Sequence, residues 1–317
     1  MPSLGTPVAV VDCGTNSIRL LVKAGSVAIE RRMIVTRLGR GIDRTGRLDP
    51  EGVARTLEVL GEYRDLIEAH GVRRSRAVAT QAVREAADGA EFTARCVEVL
   101  GFPVDVIDGV EEGRYTFLGA TSEVDEDLGP FLVVDIGGGS TELSVGTDSF
   151  EAARSIPVGS VRLTEQQLHS DPPAPEELSN AFAIVDAYLD DVVRELPEVE
   201  DAVTLVGTGG TITTIAAVEI GLASYDRDAL HRFVLTHAAA EDVFRTLATE
   251  RLADRVHNPG LARDRADIIV GGCCALLGVM RRFDFKECVV SETDILDGVA
   301  DELATAASPS ATPLPPG

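Results

Sequence analysis

Val8-Ala-Val-Val-Asp12-Cys-Gly14-Thr-Asn-Ser17-Ile-Arg19-Leu-Leu-Val22 is typical of an apolar strand, a tight polar turn and a second apolar strand. The pattern returns later in the chain as Leu132-Val-Val-Asp135-Ile-Gly137-Gly-Gly-Ser140-Thr-Glu142-Leu-Ser-Val145. When Asp12 is aligned with Asp135, Gly14 meets Gly137 and Ser17 meets Ser140. The repeat predicts two similar half-molecules that grip one phosphate between them.

Each of the two turns has the composition of a phosphate-binding loop. In such a turn several backbone N–H groups point at one anion, while the aspartate faces a metal-bound water. The consecutive glycines Gly137, Gly138 and Gly139 allow a close backbone approach that side chains would block. One such turn alone is more often a structural hairpin, so the phosphate interpretation depends on the repetition. Neither turn is a Walker A loop, which needs Gly-Lys-Ser/Thr.

A third glycine-rich segment, Gly207-Thr-Gly-Gly210, follows a predicted strand and begins a predicted helix. Ile212 stands where a dinucleotide-binding fingerprint needs its third glycine, so that fingerprint is excluded. A turn of this kind still places a helix N-terminus near an anion. Close packing of the turn is an equally good explanation of its glycines.

Length and composition indicate a globular protein of two domains. The chain has 317 residues, of which 44% are apolar. We expect a first domain over 1–124, a second over 125–303 and a disordered tail rich in Ser, Ala and Pro over 304–317. The acidic stretch 123–130 is the expected connection between the domains.

Two features of the sequence favour a cytoplasmic protein: no targeting or membrane-spanning segment is recognisable, and the cysteines have no pattern of disulfides or metal ligands. The longest apolar run, 268–280, is shorter than the roughly 20 residues that a membrane span needs. The first residues have neither a basic nor an apolar region typical of a secretory signal. The five cysteines have no metal-ligand spacing and are expected to be buried, reduced thiols.

The charge of the chain is strongly acidic but uneven. A net charge of −23 argues against a nucleic-acid polymer or an anionic membrane as partner. Between Glu30 and Leu48, however, six arginines face only two acidic residues. This basic stripe fits a path for an anionic substrate, although a general bias towards arginine explains it equally well. The stripe comprises Arg31, Arg32, Arg37, Arg40, Arg44 and Arg47.

The best acid–base candidates are the carboxylates Glu111 and Glu112 on a predicted short helix. Such a pair is usually a solvated helix face, but Glu142 supplies a third carboxylate attached to the second turn. Hydrolysis of a phosphoanhydride needs a positioned water, a metal and groups that tolerate the phosphate charge. Arg84 is a candidate for a bidentate phosphate contact. Its alternative is an ion pair on a helix, for instance with Asp88.

The coarse secondary structure alternates strands and helices. Asp49 followed by Pro50 is a strong helix start, and Gly71 is a helix end. The predicted strands lie near 7–12, 18–24, 27–36, 76–80, 103–107, 132–136, 141–145, 202–206 and 287–291. The predicted helices cover 50–70, 82–100 with a break near Gly89, a short segment from Val110, 176–196, a segment after Gly210, 266–282 and a final segment to about Leu303.

The motifs together resemble the Ppx/GppA phosphatase family of exopolyphosphatases and guanosine pentaphosphate phosphohydrolases. The similarity rests on the two turns, on Ala79-Thr-Gln-Ala-Val-Arg84-Glu-Ala, on Gly109-Val-Glu-Glu112-Gly-Arg and on Gly207-Thr-Gly-Gly-Thr. It covers nearly the whole chain to about residue 300. The departures are mild: Cys13, Thr15 and Gly113 replace residues that are more usual there.

The resemblance implies a fold and a set of site residues. The fold is the actin-like (ribonuclease H-like) α/β architecture of the actin/sugar-kinase/heat-shock ATPase superfamily, with two domains, a mixed five-stranded sheet in each and a cleft between them. Glu112 and Glu142 correspond to the catalytic glutamates, and Arg84 to an arginine of the family motif. Mg²⁺ is the implied cofactor, with Asp12, Asp135 and Glu142 as metal-binding residues. The implied phosphate-binding residues are Asp12, Gly14, Thr15, Asn16, Ser17, Arg84, Gly137, Gly138, Gly139, Ser140, Thr141, Gly207, Thr208, Gly209 and Gly210.

The expected function is Mg²⁺-dependent hydrolysis of a terminal phosphate. The substrate is inorganic polyphosphate or the 5′-phosphate of pppGpp, and the sequence does not separate the two. Many longer family members carry additional C-terminal domains without a counterpart here, so we expect short-chain polyphosphate. Two alternatives stay open: an ATP-dependent phosphotransferase of the same fold, and a catalytically weak regulator that binds (p)ppGpp or a nucleotide. A homodimer is one assembly compatible with the sequence.

Overall fold

The computed structural model describes residues 5–306, which form two mixed β-sheets flanked by helices. The first sheet has the strand order β3-β2-β1-β4-β5. Strands β1, β2 and β3 form an antiparallel meander, and β4 and β5 continue the sheet parallel to β1. The strands are β1 (Val8–Cys13), β2 (Ser17–Ala24), β3 (Val27–Val35), β4 (Arg74–Ala79) and β5 (Val104–Val106).

The second sheet repeats this arrangement and adds one strand. Its order is β10-β11-β9-β6-β7-β8, in which β6, β7 and β8 form the meander and β9 and β11 run parallel to β6. The expectation of five strands in each sheet is therefore wrong for the second half, because β10 extends it by antiparallel pairing with β11. The strands are β6 (Phe131–Ile136), β7 (Thr141–Gly146), β8 (Phe150–Ile156), β9 (Thr204–Thr208), β10 (Val234–Thr236) and β11 (Glu287–Val290).

The common strand order confirms the actin-like fold and the internal duplication that the sequence predicts. In both halves the strand–turn–strand repeat forms the first hairpin of the meander. The turns lie where β1 and β6 end, beside the ends of their parallel neighbours β4 and β9. In α/β proteins ligands bind beyond the carboxyl ends of such strands. The fold therefore places both turns at the carboxyl ends of parallel strands, where ligands bind.

The helices lie between and after the strands along the chain. Helix α2 starts as predicted, with the Asp49 side chain accepting a hydrogen bond from the Gly52 N–H group at 2.7 Å. The predicted break near Gly89 separates α3 from α4. The helices are α1 (Ile42–Thr45), α2 (Pro50–Ala69), α3 (Gln81–Glu85), α4 (Gly89–Leu100), α5 (Gly109–Thr121), α6 (Ser160–Gln167), α7 (Pro175–Glu195), α8 (Gly209–Ile220), α9 (Arg227–Leu230), α10 (His237–Thr249), α11 (Leu252–Arg255), α12 (Ile269–Arg282) and α13 (Ile295–Thr305).

The two halves share helices at their junction. Helix α5 follows the first sheet in sequence but packs on β7 and β8 of the second sheet, while the last helix, α13, packs on β1, β2 and β4 of the first. The two helices also pack against each other through glycines. A Cβ atom on Gly119 would lie 1.9 Å from the Asp294 carbonyl oxygen, and one on Gly298 would lie 2.1 Å from that of Tyr115. This junction fixes α5, and with it Glu112, over the second sheet.

The remaining expectations concern the predicted tail, the domain boundary and membrane-spanning segments. Helix α13 runs two residues into the predicted tail, and residues 307–317 of that tail lie outside the described range. The domain boundary at residue 124 stays a prediction. Within residues 5–306, no helix combines the length and the apolar character that crossing a membrane demands.

Candidate active site

The two glycine-rich turns have the same backbone geometry. In the first, the Gly14 N–H group donates to the Ser17 carbonyl at 3.1 Å, and in the second the Gly137 N–H group donates to that of Ser140 at 3.0 Å. The N–H groups between these positions have no acceptor within the described part of the chain. Unpaired backbone donors that cluster in one turn are a site for an anion. These donors belong to Thr15, Asn16, Gly138 and Gly139.

The two turns face each other and touch. A Cβ atom on Gly138 would lie 3.1 Å from the Asn16 Cβ atom and 3.3 Å from that of Thr15. Thr15 also donates its hydroxyl to Gln81 Oε1 at 3.1 Å. The turns, together with the start of α8, enclose a cavity of about 60 Å³. This volume suits one phosphoryl group and is too small for a nucleoside.

Three buried polar side-chain atoms at or beside this cavity have no hydrogen-bond partner among residues 5–306. They are Asp12 Oδ1, Asn16 Nδ2 and Gln81 Nε2. Buried polar atoms are almost always hydrogen-bonded in folded proteins, so a cluster of unpaired ones indicates a site for a ligand, an ion or water. The cluster coincides with the turns that the sequence singles out.

The duplicated turns differ in one charged position. Asp12 lies opposite Arg19 on the next strand, whereas the equivalent Asp135 lies opposite Glu142. Arg19 neutralises Asp12, because its Nε and Nη2 atoms donate to Asp12 Oδ2 at 2.8 and 2.6 Å. The second repeat therefore concentrates negative charge, and the first is locally balanced.

The carboxylates of the second repeat have raised pKa values. Burial and the charge of Asp135 raise the pKa of Glu142 to about 7, even though Ser155 donates a hydrogen bond to Glu142 Oε1 at 2.7 Å. Burial also raises the pKa of Asp135 to about 6. Groups that titrate near neutral pH are suited to proton transfer.

Glu112 comes to this site from α5. Asp108 caps that helix by accepting hydrogen bonds from the N–H groups of Val110 and Glu111. Burial, followed by the nearby charge of Glu142, raises the pKa of Glu112 well above its usual value. Two neighbouring buried carboxylates hold a proton between them more readily than either does alone. Glu111, by contrast, forms an ion pair with Arg76 on the protein surface.

Arg84 lies beside Glu112 and outside the cavity. Its Nη1 atom donates to the Ile107 carbonyl at 2.6 Å and approaches Glu112 Oε2 at 3.4 Å. The alternative partner, Asp88, instead accepts the Leu48 N–H group and pairs with Arg47. Arg84 therefore sits where it holds Glu112 in place.

The structure divides the predicted phosphate-binding residues into two groups. Those that line the 60 Å³ cavity are Asp12, Gly14, Thr15, Asn16, Ser17, Gly137, Gly138, Ser140, Gly209 and Gly210. The others have packing contacts: Thr141 donates its hydroxyl to the Val158 carbonyl, and Thr208 donates to those of Ser291 and Thr293. A Cβ atom on Gly139 would meet Gln81, so this residue offers an anion only its backbone N–H group, and a Cβ atom on Gly207 would meet Cys288.

Comparison with known proteins identifies the family. The model of the Ppx/GppA phosphatase family matches residues 22–306. The chain belongs to the Ppx/GppA phosphatase family. It is 39% identical to Exopolyphosphatase 2 of Mycobacterium tuberculosis over 316 residues, which cover 94% of this chain and 99% of that protein. This membership confirms the predicted resemblance and the expectation of an enzyme that hydrolyses phosphoanhydrides.

Solved structures of Ppx/GppA relatives share the fold. An exopolyphosphatase-like protein superposes with a TM-score of 0.89 at 35% identity, and the match covers 94% of this chain and 98% of that one. The Ppx/GppA enzyme of Aquifex aeolicus superposes with a TM-score of 0.77 at 34% identity, over 93% and 98% of the two chains. The similarity extends over both halves of the chain.

The sequence does not predict two arginines of this Ppx/GppA site. Arg19 lies within the first repeat, but its pairing with Asp12 and Asp294 depends on α13, which is distant in sequence. Arg265 lies on the segment before α12 and lines the cavity with its side chain buried. Within the described residues the only hydrogen-bond partner of its guanidinium group is the Met33 sulfur atom, at 3.1 Å. The only local signal is the cluster Arg263-Asp-Arg265, which has no recognisable pattern.

The carboxylates fit a divalent cation. Within residues 5–306, no group of three or more His, Cys, Asp or Glu side chains is arranged as a ready metal cage. Mg²⁺ does not need one, since it is usually held by one or two carboxylates, by waters and by substrate phosphates. The Asp12 Oδ1 atom has no hydrogen-bond partner in the part of the chain that the structure describes, and Asp135 lines the same cavity. Both are hard oxygen donors of the kind that Mg²⁺ prefers.

Proposed function

We propose that this protein is a Mg²⁺-dependent exopolyphosphatase that releases terminal orthophosphate from inorganic polyphosphate, preferably from short chains. The observation that carries the proposal is the position of Glu112 beside Glu142 at two facing phosphate turns. The name of the Mycobacterium tuberculosis relative supports polyphosphate as the substrate. The small cavity supports a site for one terminal phosphoryl group at a time.

The chemistry is an in-line displacement at the terminal phosphorus. A water forms the new P–O bond while the bridging P–O bond breaks, and the shortened polyphosphate leaves with the bridging oxygen. Glu112 orients this water and accepts its proton, and Glu142 stabilises the shared proton. The unpaired N–H groups of both turns stabilise the charge on the transferred phosphoryl oxygens. Asp12 and Asp135 would hold Mg²⁺, whose charge offsets that of the phosphates.

The decisive experiment compares orthophosphate release from tripolyphosphate, long polyphosphate, pppGpp and ATP, with and without Mg²⁺. We expect polyphosphate to be the best substrate and chelation of Mg²⁺ to abolish release. Glu112→Gln should lower the rate by about 10²-fold or more while substrate affinity changes much less, because the variant keeps the shape but loses the base. Glu111→Gln, at a neighbouring surface position, is the control and should stay active. A Glu112→Gln protein with ordinary turnover on every substrate would refute the assignment.

A second substrate, pppGpp, is supported by another cavity. A cavity of about 660 Å³ adjoins the terminal-phosphate cavity, and Gly209, Gly210 and Arg265 line both. Its volume suits a nucleoside, and Leu222 and Tyr225 contribute apolar surface to it. Faster release from pppGpp than from polyphosphate would favour this function. Transfer of phosphate from ATP to an acceptor would favour a phosphotransferase, and binding without turnover would favour a regulator.

The proposed compartment is the cytoplasm. All five cysteines are free thiols in buried positions. Unpaired cysteines are typical of reducing compartments. Light scattering on the same preparation tests whether the protein is a homodimer.

A further inference from the structure

Three side chains from neighbouring strands of the second sheet lie in one row, on the face against which α5 packs. Asp135 on β6 is paired with Glu142 on β7, and Glu142 is paired with Ser155 on β8. Residues that are directly opposite on antiparallel strands share one face of the sheet, with their Cβ atoms about 5 Å apart. Ser155 donates its hydroxyl to Glu142 Oε1 at 2.7 Å. Glu142 thus lies between a carboxylate and a neutral donor.

The same serine lies against the start of α5. A Cβ atom on Gly109, the first residue of that helix, would lie 2.4 Å from the Ser155 Cβ atom. About one turn later, a Cβ atom on Gly113 would lie 2.6 Å from that of Ala153. The two glycines therefore let the helix lie directly on β8, at a distance that larger side chains would increase. Glu112 lies between them on α5, so its distance from the sheet depends on this contact.

Ser155 itself does not reach the phosphate site. Among residues 5–306, those that line the cavity of about 60 Å³ include Glu112 and Glu142 but not Ser155. The serine therefore has no contact with the transferred phosphoryl group, and it can influence the reaction only through its neighbours. An active-site carboxylate depends on such a neighbour, because its side chain rotates about several bonds and catalysis needs a geometry held to within about 0.5 Å.

We propose that Ser155 is a positioning residue that holds Glu142 and the start of α5 in the arrangement in which Glu112 and Glu142 face one water. The hydroxyl fixes the orientation of the Glu142 carboxylate, and the small side chain lets α5 approach the sheet. This inference rests on the proposed roles of the two glutamates, but not on which phosphoanhydride is the substrate. It adds to the site a residue that acts on the rate of the reaction rather than on substrate binding.

A second serine on the same face of the sheet supplies a matched control. Ser144 lies two residues after Glu142 on β7 and also under α5, since its Cβ atom would lie 3.7 Å from one on Gly113. Its hydroxyl is buried and has no hydrogen-bond partner in the described part of the chain. Removal of this hydroxyl breaks no hydrogen bond, so Ser144→Ala should retain both activity and stability.

The test measures kcat and KM for orthophosphate release from the phosphoanhydride that the unmutated protein hydrolyses fastest. We expect Ser155→Ala to lower kcat by about 10-fold, the effect of losing one hydrogen bond to a charged group, and to change KM by less than about twofold. Such a loss of kcat at constant KM is expected of a residue that contacts no phosphate. Ser144→Ala should change neither constant. Equal losses in the two variants, or a rise in KM alone, would overturn the proposal.

Two further variants separate the hydroxyl of Ser155 from the size of its side chain. Ser155→Thr and Ser155→Val have nearly the same shape, so they disturb the contact with Gly109 to a similar extent, but only the first keeps the donor. We expect Ser155→Thr to be about 10-fold more active than Ser155→Val. Equal activity of the two would contradict the proposal, because the hydroxyl would then have no part in positioning Glu142.

A double-mutant cycle tests whether Ser155 acts through Glu142. In a protein that already carries Glu142→Gln, the addition of Ser155→Ala should lower kcat several times less than it does in the unmutated protein. Independent losses that multiply in the double variant would rule out this route. If the unmutated protein hydrolysed pppGpp or ATP but no polyphosphate, the proposed substrate would be wrong, while the same cycle on the better substrate would still decide the role of Ser155.

Discussion

At the scale of single residues, Arg265 has a combination of properties that suits a phosphate. It is buried at the turns, burial lowers the pKa of its guanidinium, and it has no carboxylate partner among residues 5–306. A buried cation without a counter-ion destabilises the free protein. We expect Arg265→Met to lower kcat/KM by about 10²-fold or more, the effect of removing a preorganised donor, without lowering the denaturation midpoint.

Arg255 is the matched control for this prediction. It is a buried arginine of the same half, but it donates to the carbonyl groups of Leu247, Glu250 and Ala266. Its removal leaves three acceptors unpaired, so Arg255→Met should lower the stability while the folded fraction stays active. If both variants lose stability and neither loses specific activity, Arg265 has a structural role.

The raised pKa of Glu142 leads to a second prediction, which concerns how the free energy of unfolding depends on pH. The pKa of Glu142 is about 7 in the folded protein against an ordinary value of 4.5. Between these values the folded state keeps a proton that the unfolded state releases, so the contribution of Glu142 to stability is most favourable below pH 4.5 and is lost as the pH rises through 7. The full penalty is about 3 kcal/mol, at 1.36 kcal/mol for each pKa unit.

Glu142→Gln removes that penalty. Denaturant titrations of the metal-free protein at pH 5 and pH 8 should show the variant to be more stable than the unmutated chain mainly at pH 8. Such a gain at the expense of activity is the usual trade-off at an active site. A variant that is less stable at pH 8 would mean that the ionised carboxylate stabilises the fold.

At the scale of secondary-structure elements, the turn between β9 and α8 positions a carboxylate. Gly209 has a φ of +84°, and a Cβ atom there would lie 2.1 Å from Asp135 Oδ1. Gly209→Ala should displace Asp135 and lower activity by about 10-fold or more, besides a cost of about 1 kcal/mol for the left-handed backbone. Gly221, which ends α8 at a φ of +72°, has no atom within 4 Å of such a Cβ.

Gly221→Ala therefore controls for the backbone conformation alone. We expect it to show the same small loss of stability with unchanged activity, measured by denaturation and orthophosphate release. Equal activity of the two variants would show that the position of Asp135 is not important.

The secondary-structure elements and the candidate active site could be predicted from the sequence to different extents. The two hairpins were predictable because their turns repeat, and α2 because Asp49 and Pro50 mark its start. Strand β8 was not, since Phe150-Glu-Ala-Ala-Arg-Ser-Ile156 lacks a regular apolar alternation and forms by pairing with β7. The proximity of Glu112 to Glu142 followed from family motifs. The position of Arg265 depends on tertiary packing alone.

At the scale of the whole molecule, the glycine contacts between α5 and α13 hold the two halves together. Gly298→Val would push α13 away from Tyr115, and we expect a loss of about 3 kcal/mol or more from overpacking. Activity should also fall, since α5 carries Glu112. Gly61→Ala, in an open position within α2, should instead stabilise the protein by about 1 kcal/mol. Denaturation midpoints and turnover of both variants test this; a stable, active Gly298→Val protein would contradict it.

The same exchange of helices has a consequence for synthesis on the ribosome. One apolar face of the first sheet, with Val8, Val10, Leu21 and Val78, is buried against residues of α13. Translation delivers that helix only after the strands of both sheets have been made. This hydrophobic face of the first sheet therefore stays exposed to solvent until α13 has been made. We therefore expect a chain that ends before residue 295 to expose this face and to be prone to aggregation.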